Sequence, residues 1–192
     1  MTDHFAPLIA HIRKYVRLDD READLLADAL QFRSVKKKEF LLKEQQVCEA
    51  NYFVLKGCLR LYFIQETGAE QIIQFGIENW WITDQQSLDW QQPSHFYLQA
   101  VEATGLAILD RTTAAALLDR IPCLDRYFRV IAQRTFAASQ QHRFFAQNLS
   151  GEERYHQFAR SFPDFIQRIP QYMIASFLGF TPEFISKIRR RK

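Results

Sequence analysis

At 192 residues the chain can hold one sizeable core plus a small second domain, and its 47% apolar content is that of a globular protein rather than a disordered one. The formal charge is only +3, yet the cations crowd the C-terminus, so a polyanionic partner is expected at one end alone. No apolar run is long enough to span a bilayer, and Met1-Thr2-Asp3-His4 lacks the pattern of a signal peptide, which excludes the membrane and places the protein in the cytoplasm.

Phe5, Leu8, Ile9, Ile12 and Tyr15 recur at helical spacing and predict an amphipathic helix; Ala23, Leu26, Ala27 and Leu30 predict a second. Lys36-Lys37-Lys38 stands before strand-like Phe40-Leu41-Leu42 and reads as a solvated turn. The period then changes. Tyr52-Phe53-Val54-Leu55 and Leu59-Arg60-Leu61-Tyr62-Phe63 flank Lys56-Gly57, and Thr67-Gly68 precedes Gln71-Ile72-Ile73-Gln74-Phe75. A further pair, 96–101 and 106–109, is split by Thr104-Gly105. Short strands joined by glycine turns predict a small β-roll or barrel.

Beyond it Thr112 to Leu118 forms a short helix, and Pro122 opens a long one reaching about Asn148. Its Leu124, Phe128, Ile131, Ala138 and Phe145 form an apolar stripe, mostly a heptad apart, that points to dimerisation; packing against the chain's own β-domain is the alternative. Ser150-Gly151-Glu152-Glu153 is a capping box opening a further helix, which Pro163 stops.

The C-terminus reads as a helix-turn-helix. Pro170 suits the start of one helix and Gly179 its left-handed end; Thr181 caps a second, with Pro182 at its first position and Glu183 complementing the positive helix end. Ala175, Gly179 and Ile185 supply the small side chain, the tight turn and the buried wedge that two crossing helices need. Glu183 can accept from a cytosine amine and Lys187 can donate to guanine, so they are the candidates for base readout. Arg189, Arg190, Arg191 and Lys192 are assigned to phosphates, and Gln171, Thr181, Pro182 and Ser186 complete the DNA-binding set. The alternative is two ordinary surface helices with a solvated basic tail.

Enzyme chemistry is poorly supported. A metal-holding β-barrel needs clustered histidines, and His95 is the only one between His11 and His142; His4, His11, His142 and His156 lie in helical or terminal segments. Cys48, Cys58 and Cys123, odd in number and far apart, fit neither a disulfide framework nor a metal knuckle, and no cysteine cluster exists for an iron–sulfur centre. No nucleophile motif or P-loop is present, and no cofactor or metal is expected.

Phe53-Val54-Leu55-Lys56-Gly57 with Leu59-Arg60, the long helix after a proline, and Ile174-Ala175-Ser176-Phe177-Leu178-Gly179 occur in an order that resembles the cyclic-AMP receptor protein (Crp/Fnr) superfamily of bacterial transcription regulators, over nearly the whole chain. The fold class expected is α+β: a cyclic-nucleotide-binding-domain-like β-roll with flanking helices over 1–121, a dimerisation helix over 122–149, and a helix-turn-helix domain over 150–192. The resemblance implies a homodimer on an inverted-repeat site in double-stranded DNA, half-sites ~34 Å apart, with RNA polymerase as a partner and a small-molecule effector in the β-roll.

Two departures stand against that resemblance. Gly76-Ile77-Glu78 only partly matches the segment that meets a ribose, and no lysine or arginine lies between Arg60 and Arg111 to neutralise a phosphate, so cyclic AMP is not the expected ligand. Trp80 and Trp81, placed with Gly76 and Glu78 in the candidate effector pocket, either stack on a planar ligand or plug the roll. At the other end, Pro182 stands where relatives carry a base-contacting side chain, and the end at Lys192 leaves no room for their β-hairpin wing. An interaction or small-molecule-binding module of the same dimeric fold, without sequence-specific DNA binding, is the alternative function.

Overall fold

Strand β3 (Ala50–Lys56) explains most of the architecture, because it is buried on both faces. Successive strand residues point to opposite sides, so Tyr52 and Val54 enter one core while Phe53 enters another. An uninterrupted apolar run is what a doubly covered strand needs.

The computed structural model describes residues 2–190. They form two compact units: the first runs to Phe63 and resumes over Gln74–Ile131, and the second gathers Ile64–Ile73 with the chain from Ala132 onward. In the first, a short 3-10 turn precedes α1 (Ala6–Arg13) and α2 (Asp20–Ala29). Reciprocal capping starts α2: the Asp19 carboxylate accepts from the Glu22 N–H at 2.8 Å, and the Glu22 carboxylate from the Asp19 N–H at 3.0 Å.

The other strands are β1 (Gln31–Val35), β2 (Phe40–Leu42), β4 (Leu59–Ile64), β5 (Glu70–Gly76), β6 (Trp81–Ile82), β7 (Tyr97–Ala100) and β8 (Thr104–Asp110). They form two 4-stranded sheets, ordered β1-β8-β3-β6 and β2-β7-β4-β5. β3 lies antiparallel to β8 with Tyr52 opposite Ile108. Val54, Leu59, Leu61, Leu98 and Leu106 fill the roll interior. On the far side of β3 and β8, Phe53, Ala107 and Leu109 meet Leu8, Ile12, Leu26, Leu117, Leu124 and Tyr127 from the helices. Besides α1 and α2 those helices are α4 (Arg111–Arg120) and the first turns of α5 (Cys123–Asn148), whereas the short α3 (Gln85–Trp90) adds Leu88 to the roll interior.

The second unit contains the rest of α5, α6 (Gly151–Ser161), α7 (Pro163–Arg168), α8 (Gln171–Leu178) and α9 (Pro182–Arg190). Ser150 caps α6 as its motif requires. Pro163 does end that helix, but it also opens α7, since a missing N–H costs nothing at a first helical position. Among the described residues no helix is long and apolar enough to cross a membrane, and no cluster of histidine, cysteine and carboxylate side chains could hold a metal ion.

Candidate nucleic-acid interface

Helix α8 buries Met173, Ile174, Ala175 and Leu178 and ends at Gly179, whose φ of +73° is a conformation a Cβ would strain. The Gly179 N–H returns to the Ser176 carbonyl at 3.2 Å and the Phe180 N–H to the Ala175 carbonyl at 2.8 Å, a double closure that fixes the turn. Thr181 then starts α9, its hydroxyl accepting from the Phe184 N–H at 3.3 Å. Ile185 and Ile188 hold α9 down; both are buried.

Arg154 of α6 braces the turn. Its Nη1 donates to the Leu178 carbonyl at 3.2 Å, and its guanidinium lies 4.3 Å from the centre of the Phe180 ring. Phe180 meets Phe184 at 4.9 Å between ring centres, and Gly151 lies so close that a Cβ there would come 2.7 Å from the Phe184 ring.

At about 100° per residue, Glu183, Ser186, Lys187 and Arg190 share one face of α9, opposite Ile185 and Ile188. With Pro182 they line an open cleft of about 540 Å³. Glu183, Lys187 and Arg190 are exposed and, among the described residues, have neither an ion pair nor a hydrogen bond. Arg189 is exposed on the flank of this face.

The β6–α3 segment is closed by contrast. The Asp84 carboxylate accepts from the Ser87 N–H at 3.2 Å and the Ser94 hydroxyl at 2.7 Å, and so occupies the α3 N-terminus, where an incoming anion would otherwise be received. Ser87 Oγ accepts from the Cys48 N–H at 2.8 Å and donates to the Gln92 carbonyl at 2.6 Å. The Trp81 indole packs 5.2 Å from the Phe53 ring and 5.5 Å from the Phe128 ring, and its N–H donates to the Tyr127 oxygen at 2.8 Å.

Residues 32–121 match the cyclic nucleotide-binding domain family. By fold the chain is similar to FixK2 from Bradyrhizobium japonicum, with a TM-score of 0.72 and 17% identity over 84% of this chain and 83% of that one. It is similar also to a regulator assigned to the Crp/Fnr family from Eubacterium rectale, with a TM-score of 0.69 and 19% identity over 91% and 83%. The catabolite activator protein of Thermus thermophilus gives a TM-score of 0.55 and 22% identity over 91% and 83%. The match to that domain family thus covers 32–121, and over most of its length the chain shares the fold of these three proteins. No curated protein sequence matches it.

Within this fold the candidate DNA-binding residues are brought together over α8 and α9. Gln171 is exposed on the first turn of α8, and Thr181, Pro182, Glu183, Ser186, Lys187, Arg189 and Arg190 belong to α9 and its cap. Arg190 shares the face of Glu183 and Lys187, which the sequence did not distinguish from the flank of Arg189. Arg191 and Lys192 lie outside the described residues.

The four candidate effector residues do not converge. Gly76 packs on Ile82, where a Cβ would come within 2.9 Å. The Glu78 carboxylate accepts from the Gly57 N–H at 2.7 Å and so ties the β3–β4 turn. Trp81 points into the core while Trp80 is 41% exposed.

Among the predicted dimer residues, Leu124 is wholly buried, and Phe128 and Ile131 pack on the same helical core of their own chain. Leu124 is thus taken up within its own chain because α5 begins against the β-roll, while Phe128 and Ile131 stay half-buried. Ala138 is exposed and Phe145 half-buried. Phe136 and Phe144 on the same helix are large exposed apolar side chains, 59% and 58% exposed; Phe144 stands beside the stripe and Phe136 was not singled out in the sequence.

Proposed function

We propose that the chain is a homodimeric, DNA-binding transcription regulator that is not switched by cyclic AMP. The observation that carries the reading is the unpartnered face of α9, with Glu183, Ser186, Lys187 and Arg190 at the i, i+3, i+4, i+7 spacing by which one helix reads a major groove. Glu183 suits a cytosine amine, Lys187 a guanine, and Arg190 can meet a guanine with two parallel bonds; Arg189 suits a phosphate. A second copy covers Phe136 and Phe144 on α5, and transcription is regulated through RNA polymerase.

The case against cyclic AMP is electrostatic. A buried phosphate needs a cation, and the stretch between Arg60 and Arg111 has none. The Arg60 guanidinium itself is buried, donating to Gln99 Oε1 at 3.1 and 2.7 Å, with the Tyr62 ring 4.2 Å away. Control by another small molecule, by a partner or by abundance fits the filled roll better.

Binding of the full chain to a random duplex pool at two salt concentrations, beside a variant lacking the last four residues, tests this. The full chain should retain duplex at both, with affinity falling as salt rises, and the truncated chain should show a shallower salt dependence. Retention of no duplex at either salt would leave the fold as an interaction or small-molecule-binding module.

A further inference from the structure

Strand β5 stands at the end of its sheet order, so one of its edges offers backbone groups to whatever lies beside it. The Ile72 N–H and the Glu70 carbonyl belong to residues two apart and so point to the same side. A single side chain joins both. Ser176 Oγ accepts from the Ile72 N–H at 2.9 Å and donates to the Glu70 carbonyl at 2.6 Å, as the backbone of an added strand would. From the same strand, Gln71 Nε2 donates to the Ser176 carbonyl. Hairpin residues 64–73 and helix α8 belong to one compact unit, and these bonds are internal to it.

The grip falls at a sensitive point. The Ser176 carbonyl that receives Gln71 also receives the Gly179 N–H at 3.2 Å, within the turn that aims α9. The hairpin is itself closed by the Gly68 N–H on the Gln65 carbonyl at 2.8 Å and the Gln65 N–H on the Ala69 carbonyl at 2.9 Å. Side-chain amide, hydroxyl and two backbone carbonyls thus connect β5 to the last turn before the reading helix.

We infer that Ser176 and Gln71 form a clasp by which the 64–73 hairpin fixes the direction of α9, making both of them positioning residues for DNA selectivity. The inference rests on the DNA-binding reading above. Neither side chain lies on the α9 face that would meet bases. A shift of the hairpin, from whatever cause, then reaches α9 through two residues.

The test uses the full chain as wild type, Ser176→Ala, Ser176→Thr and Gln71→Ala, with two readouts. The first is amide hydrogen exchange at Ile72 without DNA: protection in the wild type should fall about tenfold in Ser176→Ala and return in Ser176→Thr, which keeps the hydroxyl. The second is affinity for the duplex the wild type selects from a random pool against a scrambled duplex. Ser176→Ala and Gln71→Ala should lose about tenfold in the ratio of the two while scrambled binding holds, because positioning separates right from wrong sequence and not charge from charge.

Equal Ile72 exchange in wild type and Ser176→Ala overturns the clasp even if DNA binds. An unchanged selected-to-scrambled ratio, or an equal loss on both duplexes, overturns its role in selectivity. A wild type that prefers no duplex overturns the DNA reading and that role together, while Ile72 exchange still decides whether the clasp exists.

Discussion

The Trp81 indole N–H donates to the Tyr127 oxygen at 2.8 Å, joining the segment after β5 to the root of the long helix. Tyr127 Oη also lies 2.9 Å from His11 Nδ1. An indole can only donate, so the phenol oxygen accepts from Trp81 while also meeting His11 Nδ1. Burial pushes the Tyr127 phenol well above its usual range, so it stays protonated.

Tyr127→Phe keeps the ring and removes the oxygen. The indole N–H and His11 Nδ1 lose that partner in a buried site, at a cost of about 1–3 kcal/mol. Urea unfolding should show a lower midpoint at unchanged slope. An unmoved midpoint would mean that water or another group replaces the oxygen.

Gly151→Ala sets two effects against each other. Alanine favours a helix over glycine by up to about 1 kcal/mol, whereas a new Cβ only 2.7 Å from the Phe184 ring overpacks the contact, at roughly 1–3 kcal/mol. The second should win, lowering the melting temperature and weakening selected duplex together. A raised melting temperature would show that Phe184 moves aside freely.

Lys187→Ala and Arg189→Ala should differ in kind. Loss of a base contact costs ~1–3 kcal/mol on the selected duplex and blurs one position of the preferred site, whereas loss of a phosphate contact weakens all duplexes alike and reduces the salt slope by ~1. Arg190→Ala should follow Lys187→Ala, since both share the cleft with Glu183. If all three substitutions weaken every duplex equally, α9 does not read bases.

Phe136→Glu combined with Phe144→Glu should yield a monomer by sedimentation. Each exposed phenyl covered by a second copy contributes about 1.5–3 kcal/mol, and a carboxylate there must be desolvated instead. A dimer unaffected by both changes would place the interface elsewhere.

Acid should act on the α6 cap. The Ser150 hydroxyl and then its backbone N–H, bonded to Glu153 at 2.7 and 2.8 Å, hold that carboxyl below its ordinary 4.5. A depressed folded value means stability that is present above about pH 4.5 and lost as pH falls through the lowered one. Wild type should therefore melt higher than Glu153→Gln at neutral pH, with the gap closing in acid. A gap independent of pH would remove the carboxylate from the account.

What could be read in advance follows from whether a residue's role was local. Ser150 and Glu153 meet across three positions, so their capping box was legible, as was the apolar run of β3 as a strand, though not its burial on both faces. β1 was not: four of its five residues are exposed, and it is held through its ladder with β8, where Gln31 faces Ile108. Helices α3 and α7, of six residues each, are too short to show a period. Trp80 and Trp81 are adjacent and so diverge, and only the fold says which enters the core. Gln71 and Ser176 are 105 positions apart, and no pattern within either segment predicts that they meet.

The most direct test is to sequence the duplexes that the full chain selects from a random pool at elevated salt, where charge alone retains little. An inverted repeat with half-sites ~34 Å apart is the predicted result, one half-site for each α9 of a two-fold dimer. A retained pool with no enriched sequence, or no retained duplex, would contradict it.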